Sequence, residues 1–259
     1  MLLYPQLVSG AVAQFPLRRS YSWAHVTNLQ EDGSRYSESA TENPFFTWQL
    51  RYDHLTLAEA EALKAFFEST RGRLGTFTFL DPAGNLLAWS EDLSKPFWES
   101  SAGLAHSEFD SESGPSFDLS SAGSATLSQT VPCPATALLC WSMLARANQP
   151  NGMQLALWDA SGRVEQTFSI DGQWRRIFVT QQGTGASLNK TVEVSLLAGS
   201  QAQVAHLCLS AQPAPGAYAA TSQLGGIYPN ARFDQDALLV IASGPNDFSC
   251  AVQLTTRLS

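Results

Sequence analysis

Chemistry needs particular side chains close together, and this sequence scatters them. Its four histidines, His25, His54, His106 and His206, stand far apart with neither HExxH nor His-Cys spacing, so no zinc site is predicted. No GxSxG, Walker A loop or GxGxxG stands at a strand-to-helix junction, which removes the common hydrolase and nucleotide-binding readings. Glu91-Asp92 and the trio Glu108, Asp110 and Glu112 are carboxylates of the kind a glycosidase pairs, but loop carboxylates are commonplace and no second signature joins them. The 108–118 segment offers oxygens of the type a hard cation takes, and the residues leave open whether it holds calcium. The expectation is therefore no enzyme, no cofactor and no metal site.

Tryptophan has more to offer. Five of the seven, Trp89, Trp98, Trp141, Trp158 and Trp174, fall between residues 82 and 230. An exposed indole stacks against the apolar face of a sugar ring, which desolvates well there. Trp141 and Trp174 stand in or beside strong strand patterns and read as packing residues. Trp158 breaks the phase of Met153, Leu155 and Leu157 beside the Asp159-Ala160-Ser161-Gly162 turn, so it faces the opposite way. It is the first candidate for a glycan platform, with Trp98 second.

What must position these side chains is a run of short strands. After Asp81-Pro82-Ala83-Gly84-Asn85 no helical period recurs. Strand patterns at 126–131, 138–146, 153–158, 164–170, 174–180, 192–197 and 204–209 alternate with turns at Asn151-Gly152, Ser161-Gly162, Asp171-Gly172 and Ala198-Gly199. That rhythm predicts a β-sandwich. The stretch 100–124, rich in Ser, Gly and acids, reads as loops and edge strands.

Ahead of it the pattern differs. Phe46, Trp48, Leu50 and Tyr52 alternate with Thr47, Gln49 and Arg51 as a strand. Thr56 and Glu59 then have capping-box spacing, and Leu57, Ala60, Leu63, Phe66 and Phe67 recur at helical intervals. Arg71 and Gly72 mark the helix end, with Gly72 expected to take the left-handed conformation. Phe77 and Phe79 alternate with Thr76 and Thr78, which predicts a half-buried strand. The tail, with strands at 238–242 and 248–254, is too short for a core of its own. The economical organisation is a discontinuous β-rich trunk, 1–81 plus 231–259, interrupted by a sandwich at 82–230, because surface loops tolerate long insertions. It requires residues 77–80 to lie beside 232–240.

Composition narrows the partners. The 259 residues carry a net charge of −8, and the basic pairs Arg18-Arg19 and Arg175-Arg176 make no patch, so nucleic acid is not an expected partner. No run of eighteen apolar residues predicts a membrane span. The opening MLLYPQLVSGAVAQFPLRR lacks a basic n-region and is not expected to be a signal peptide. Four cysteines, Cys133, Cys140, Cys208 and Cys250, without CxxC spacing read as reduced, buried thiols of a chain folded in a cytoplasm.

Two resemblances agree with this division. Trp48-Gln49-Leu50-Arg51-Tyr52, the helix, Phe66-Phe67-Glu68-Ser69-Thr70-Arg71-Gly72-Arg73, Phe77-Thr78-Phe79, Asp81 and the return Ala231-Arg232-Phe233-Asp234-Gln235-Asp236 resemble the distal tail proteins of tailed bacteriophages and gene transfer agents. That resemblance covers most of the trunk. It implies a structural virion protein: a homo-oligomeric, sixfold (hexamer) ring that joins the tail tube to the hub proteins of the baseplate, assembled in the bacterial host cytoplasm and carried in the virion tail. Asn85-Leu86-Leu87-Ala88-Trp89-Ser90-Glu91-Asp92-Leu93, Phe97-Trp98, Trp141-Ser142-Met143-Leu144-Ala145-Arg146 and Asp171-Gly172-Gln173-Trp174 are similar to the carbohydrate-binding-like, jelly-roll-like modules of phage tail and receptor-binding proteins. The acidic residue and YIPT string often found at the close of such modules are absent. This resemblance implies contact with cell-surface polysaccharide. Two other readings stay open: a glycan-binding adhesin whose trunk only displays the sandwich, and a polysaccharide-degrading enzyme.

Overall fold

The computed structural model describes residues 2–39, 43–148 and 151–258. Strands β1 (Arg18–Ser22), β2 (His25–Leu29), β3 (Arg35–Ser39) and β4 (Phe45–Leu55) precede helix α1 (Leu57–Thr70) and β5 (Phe77–Leu80). Then come β6 (Glu99–Ser100), β7 (Leu104–Ser111), β8 (Gly114–Ser121), β9 (Ala125–Val131) and β10 (Leu138–Arg146). They are followed by β11 (Asn151–Asp159), β12 (Gly162–Ile170), β13 (Arg175–Gln182), β14 (Lys190–Leu196) and β15 (Gln201–Ser210). The last three are β16 (Ile227–Phe233), β17 (Val240–Gly244) and β18 (Asp247–Arg257). The protein is mainly β with a single helix among the described residues. It divides into two compact units, Met1–Val8 with Ala13–Phe79 and Tyr228–Ser259, and Ser9–Val12 with Leu80–Ile227.

The first unit is a sheet in the order β1-β4-β18-β16-β5, with β17 also paired to β18. Residue alternation makes its inner face: Phe46, Trp48, Leu50 and Tyr52 on β4 are buried, opposite Val252 and Leu254 on β18. The helix starts where its capping box dictates, the Thr56 hydroxyl accepting from the Glu59 amide at 3.3 Å and the Glu59 carboxylate from the Thr56 amide at 2.9 Å. Ala60 and Leu63 are buried, whereas Leu57, on the predicted apolar stripe, is 48% exposed because it occupies the first turn at the rim. The helix ends in a Schellman arrangement, with the Gly72 amide on the Phe67 carbonyl (3.2 Å) and the Arg71 amide on that of Glu68 (3.1 Å). Gly72 has the positive φ expected of it (60°), but the expectation missed that Arg71 ahead of it is left-handed as well (φ 54°).

A second correction concerns β5. Alternation predicts a half-buried strand, yet all four residues are buried, Thr78 at 0%. The cause is pairing on both edges: β16 lies on one side, and Leu2 and Tyr4 bond Thr78 on the other, at 2.8 and 2.9 Å. β5 therefore sits beside a strand about 150 residues downstream. Phe77 packs 5.2 Å from Phe233 and 5.1 Å from Phe66, a cluster that Phe67, Tyr4 and Phe79 extend. Each such ring removed from water is worth roughly 1.5–3 kcal/mol. Arg73 donates to the Asp234 carbonyl at 2.7 Å and lies 3.7 Å from the Asp234 and Asp236 carboxylates, tying the helix exit to the returning chain.

The second unit is a β-sandwich of two five-stranded antiparallel sheets, β13-β10-β15-β8-β7 and β12-β11-β14-β9-β6. Between them lie Leu139, Trp141, Met143, Met153, Leu155, Leu157, Val192 and Val194, all buried. The buried Asn85 amide fastens the opening segment to β15, donating to the Leu207 carbonyl at 2.8 Å and accepting from the Leu209 amide at 3.0 Å. Two local expectations change. Asn151-Gly152 begins β11 and is no turn, and β8, from the stretch read as loops and edges, is an interior strand between β15 and β7. Serine-rich composition hid β8, whose Phe117 and Leu119 alternate into the core.

Candidate functional site

The alternation that buries Leu155 and Leu157 turns Trp158 outward on the β12-β11-β14-β9-β6 sheet, where it is half-buried. Arg163 lies directly opposite on β12 and Thr191 opposite on β14. The Arg163 guanidinium reaches Glu165 at 2.6 Å and Glu193 at 2.8 Å. Glu193 is on β14 and Arg163 on β12, so that bridge crosses β11. Ala156, 1% exposed on the same face, is small enough to lie beneath it. The carboxylates raise the guanidinium pKa, Glu193 contributing most. Trp158 thus stands beside a fixed charged bridge and a ladder of hydroxyls, in which Thr191 and Thr130 bond at 2.8 Å.

Trp98 has a different environment. It is 6% exposed and donates its indole N–H to the Trp89 carbonyl at 2.9 Å. A ring so covered has no face to lend a sugar, so Trp98 is a packing residue that secures the opening loop. Trp141 is buried, with its N–H on the Glu193 carbonyl at 3.2 Å.

The outer face of the other sheet carries a polar network that sequence reasoning did not assemble, although Glu112 and the 108–118 segment ending at Asp118 are among the carboxylates weighed above. Arg146 donates to Gln203 at 2.6 Å, Gln203 donates to Asp118 at 2.8 Å, and the guanidinium lies 4.6 Å over the Trp174 ring. Glu112 approaches Arg146 at 3.5 Å. His206 occupies a bulge on β15 with φ 53°, stacks on Tyr218 at 4.4 Å and meets the Ser113 carbonyl at 2.8 Å. Only the fold brings these residues together, because they come from five separate segments, at 112–118, 146, 174, 203–206 and 218.

Beside Trp158 lies a buried ion pair. Lys190 Nζ is 3.1 Å from Asp159 Oδ2, and both side chains are 0% exposed. Gln181 accepts from the ammonium at 3.3 Å, while the Ser161 amide donates to Asp159 at 2.7 Å. Burial pushes the Asp159 carboxyl up, but the Ser161 bonds and Lys190 outweigh it and hold the pKa below its ordinary value. The four cysteines are free and buried. Among the described residues no group of three or more His, Cys, Asp or Glu is gathered as metal ligands. No helix among the described residues is long and apolar enough to cross a membrane.

The first unit shows more apolar surface. Twelve of the eighteen large exposed apolar side chains among the described residues belong to it. The β2–β3 hairpin forms a two-stranded sheet of its own, exposed at every position, with Val26, Leu29 and Tyr36 among those side chains. A groove of about 410 Å³ runs between Arg51, Gln235, Leu239, Ile241 and Ala251.

Comparison with known proteins finds no matching family model and no matching curated protein. Solved structures align with about half of the chain. The carbohydrate-binding module TmCBM61, solved with β-1,4-galactotriose, is 15% identical at a TM-score of 0.40, covering 48% of this chain and 97% of its own. The CBM22-1 xylan-binding domain of Xyn10C from Paenibacillus barcinonensis is 12% identical at 0.42, covering 51% and 98%. The enzymatically active domain of tailspike protein 4 from bacteriophage CBA120 is 11% identical at 0.43, covering 51% of this chain and 22% of its own. At such identities and scores none of them says what this chain binds.

Proposed function

We propose that this chain is a structural protein of a phage or phage-like tail tip. Copies of it form a homo-oligomeric ring, sixfold by the resemblance of the trunk, between the tail tube and the hub proteins of the baseplate. The sandwich is a non-catalytic module that touches cell-surface polysaccharide through the Trp158 face. The observation that carries the ring reading is the exposed β2–β3 hairpin. A lone two-stranded hairpin is marginal in water, so one displaying Val26, Leu29 and Tyr36 is stabilised by a neighbouring surface. Identical subunits that meet head to tail through such a hairpin close into a ring when the rotation between them closes.

The test is the assembly state of the purified full chain by native mass spectrometry and negative-stain microscopy. A closed ring is expected; a monomer at all concentrations would sink the reading. The Trp158 face favours a second reading, a glycan-binding adhesin. That reading predicts glycan binding that is lost in Trp158→Ala by a protein that never forms a ring.

A further inference from the structure

Trp174, Arg146, Gln203 and Asp118 stand on neighbouring strands β13, β10, β15 and β8, or at the strand end, in one line across the outer face of their sheet. Three strand spacings of ~4.8 Å make that line about 14 Å long. We infer that this row binds a neutral polysaccharide laid across the strands, with Trp174 as the apolar contact and Arg146, Gln203 and Asp118 exchanging hydrogen bonds with sugar hydroxyls. The inference rests on reading the sandwich as a glycan contact, and it adds a second binding face to that of Trp158.

Four features point the same way. The polar side chains hold one another, Arg146 on Gln203 and Gln203 on Asp118, so little rotamer freedom is lost when a ligand arrives. In the neighbouring row the half-buried Leu144 offers an apolar contact between Arg176 on β13 and the buried Ala205 on β15. The His206 bulge, in a strained left-handed conformation, carries its ring to Tyr218 and to the β7–β8 turn at Ser113, and so builds a wall beside the row. Bulges and strain of this kind recur where a strand must re-aim side chains at a ligand. Finally, the buried Trp174 N–H has no acceptor among the described residues. Arg146 is offset by Asp118 and Glu112, so the row carries no positive excess to select an anionic chain. A cation–π pair serving only packing would need neither Gln203 nor Asp118.

Affinity electrophoresis of the full chain tests this, in gels containing a β-glucan, a xylan, a galactan or, as the anionic arm, polygalacturonate. At least one neutral polysaccharide should retard the protein. Asp118→Ala and Gln203→Ala, both at accessible positions, should weaken that retardation about tenfold, in the native background and in Trp158→Ala alike. Trp174→Ala should abolish it, with thermal unfolding confirming that each variant is folded. Retardation lost in Trp158→Ala but unmoved by Asp118→Ala and Gln203→Ala overturns the row and leaves the glycan reading standing. Retardation by polygalacturonate alone overturns the neutral class. No retardation by any polymer overturns the row and the glycan reading together.

Discussion

Lys190 and Asp159 are charged groups that the sandwich has taken wholly out of water, and their cost and value are set by each other. Removing one partner strands the other, so Lys190→Met should lower urea-derived stability by about 3–5 kcal/mol, while a double replacement with apolar residues should recover much of the loss. The pH dependence follows from the same contacts. The folded pKa of Asp159 is depressed, so its contribution is present above the ordinary unfolded value of about 3.9 and is lost as pH falls through the folded value. A urea midpoint followed from pH 6 to pH 3 should drop in the native protein, and Asp159→Asn should flatten that limb. The thiols behave oppositely. Burial pushes Cys133 up to about 12 and Cys208 and Cys250 to about 11. Iodoacetamide at pH 8 should therefore leave the native chain unmodified by mass and label four cysteines in urea.

At the level of elements, the helix and its exit decide how the first unit closes. Thr56→Ala removes the reciprocal cap and should cost about 1 kcal/mol in thermal or urea unfolding. Arg71→Gly should do the reverse, adding up to about 1 kcal/mol, because a left-handed residue with a Cβ is replaced by one without. Gly75 has a stricter duty: a Cβ there would stand 2.7 Å from the Thr70 carbonyl, the group its own amide bonds. Helix position and both caps were legible from Thr56, Glu59 and the arginine-glycine pair. Which of Arg71 and Gly72 turns left-handed first was not, since that depends on where the Phe67 and Glu68 carbonyls end up. Likewise, alternation located β5 but said nothing of Leu2 and Tyr4 arriving at its free edge.

At the scale of the whole molecule, the proposed ring makes the hairpin the decisive part. Replacing Val26, Leu29 and Tyr36 together by serine should convert rings to monomers in native mass spectrometry while shifting the unfolding midpoint little, because none of the three lies in the core of its own subunit. If rings persist unchanged, the hairpin is not the joint.

By itself the sequence determined where elements begin and which face of each is apolar, because capping spacing, strand alternation and turn residues are local physics. It therefore marked Trp158 as facing away from Leu155 and Leu157, and pointed to β5 meeting the returning chain near Phe233. Only the tertiary structure decided which half-determined tryptophans stay accessible. Trp98 and Trp158 share residue type and a turn nearby, yet a loop covers one and an ion bridge flanks the other. The row of Trp174, Arg146, Gln203 and Asp118 belongs wholly to that second category: its members lie far apart along the chain, and strand register alone sets them in line.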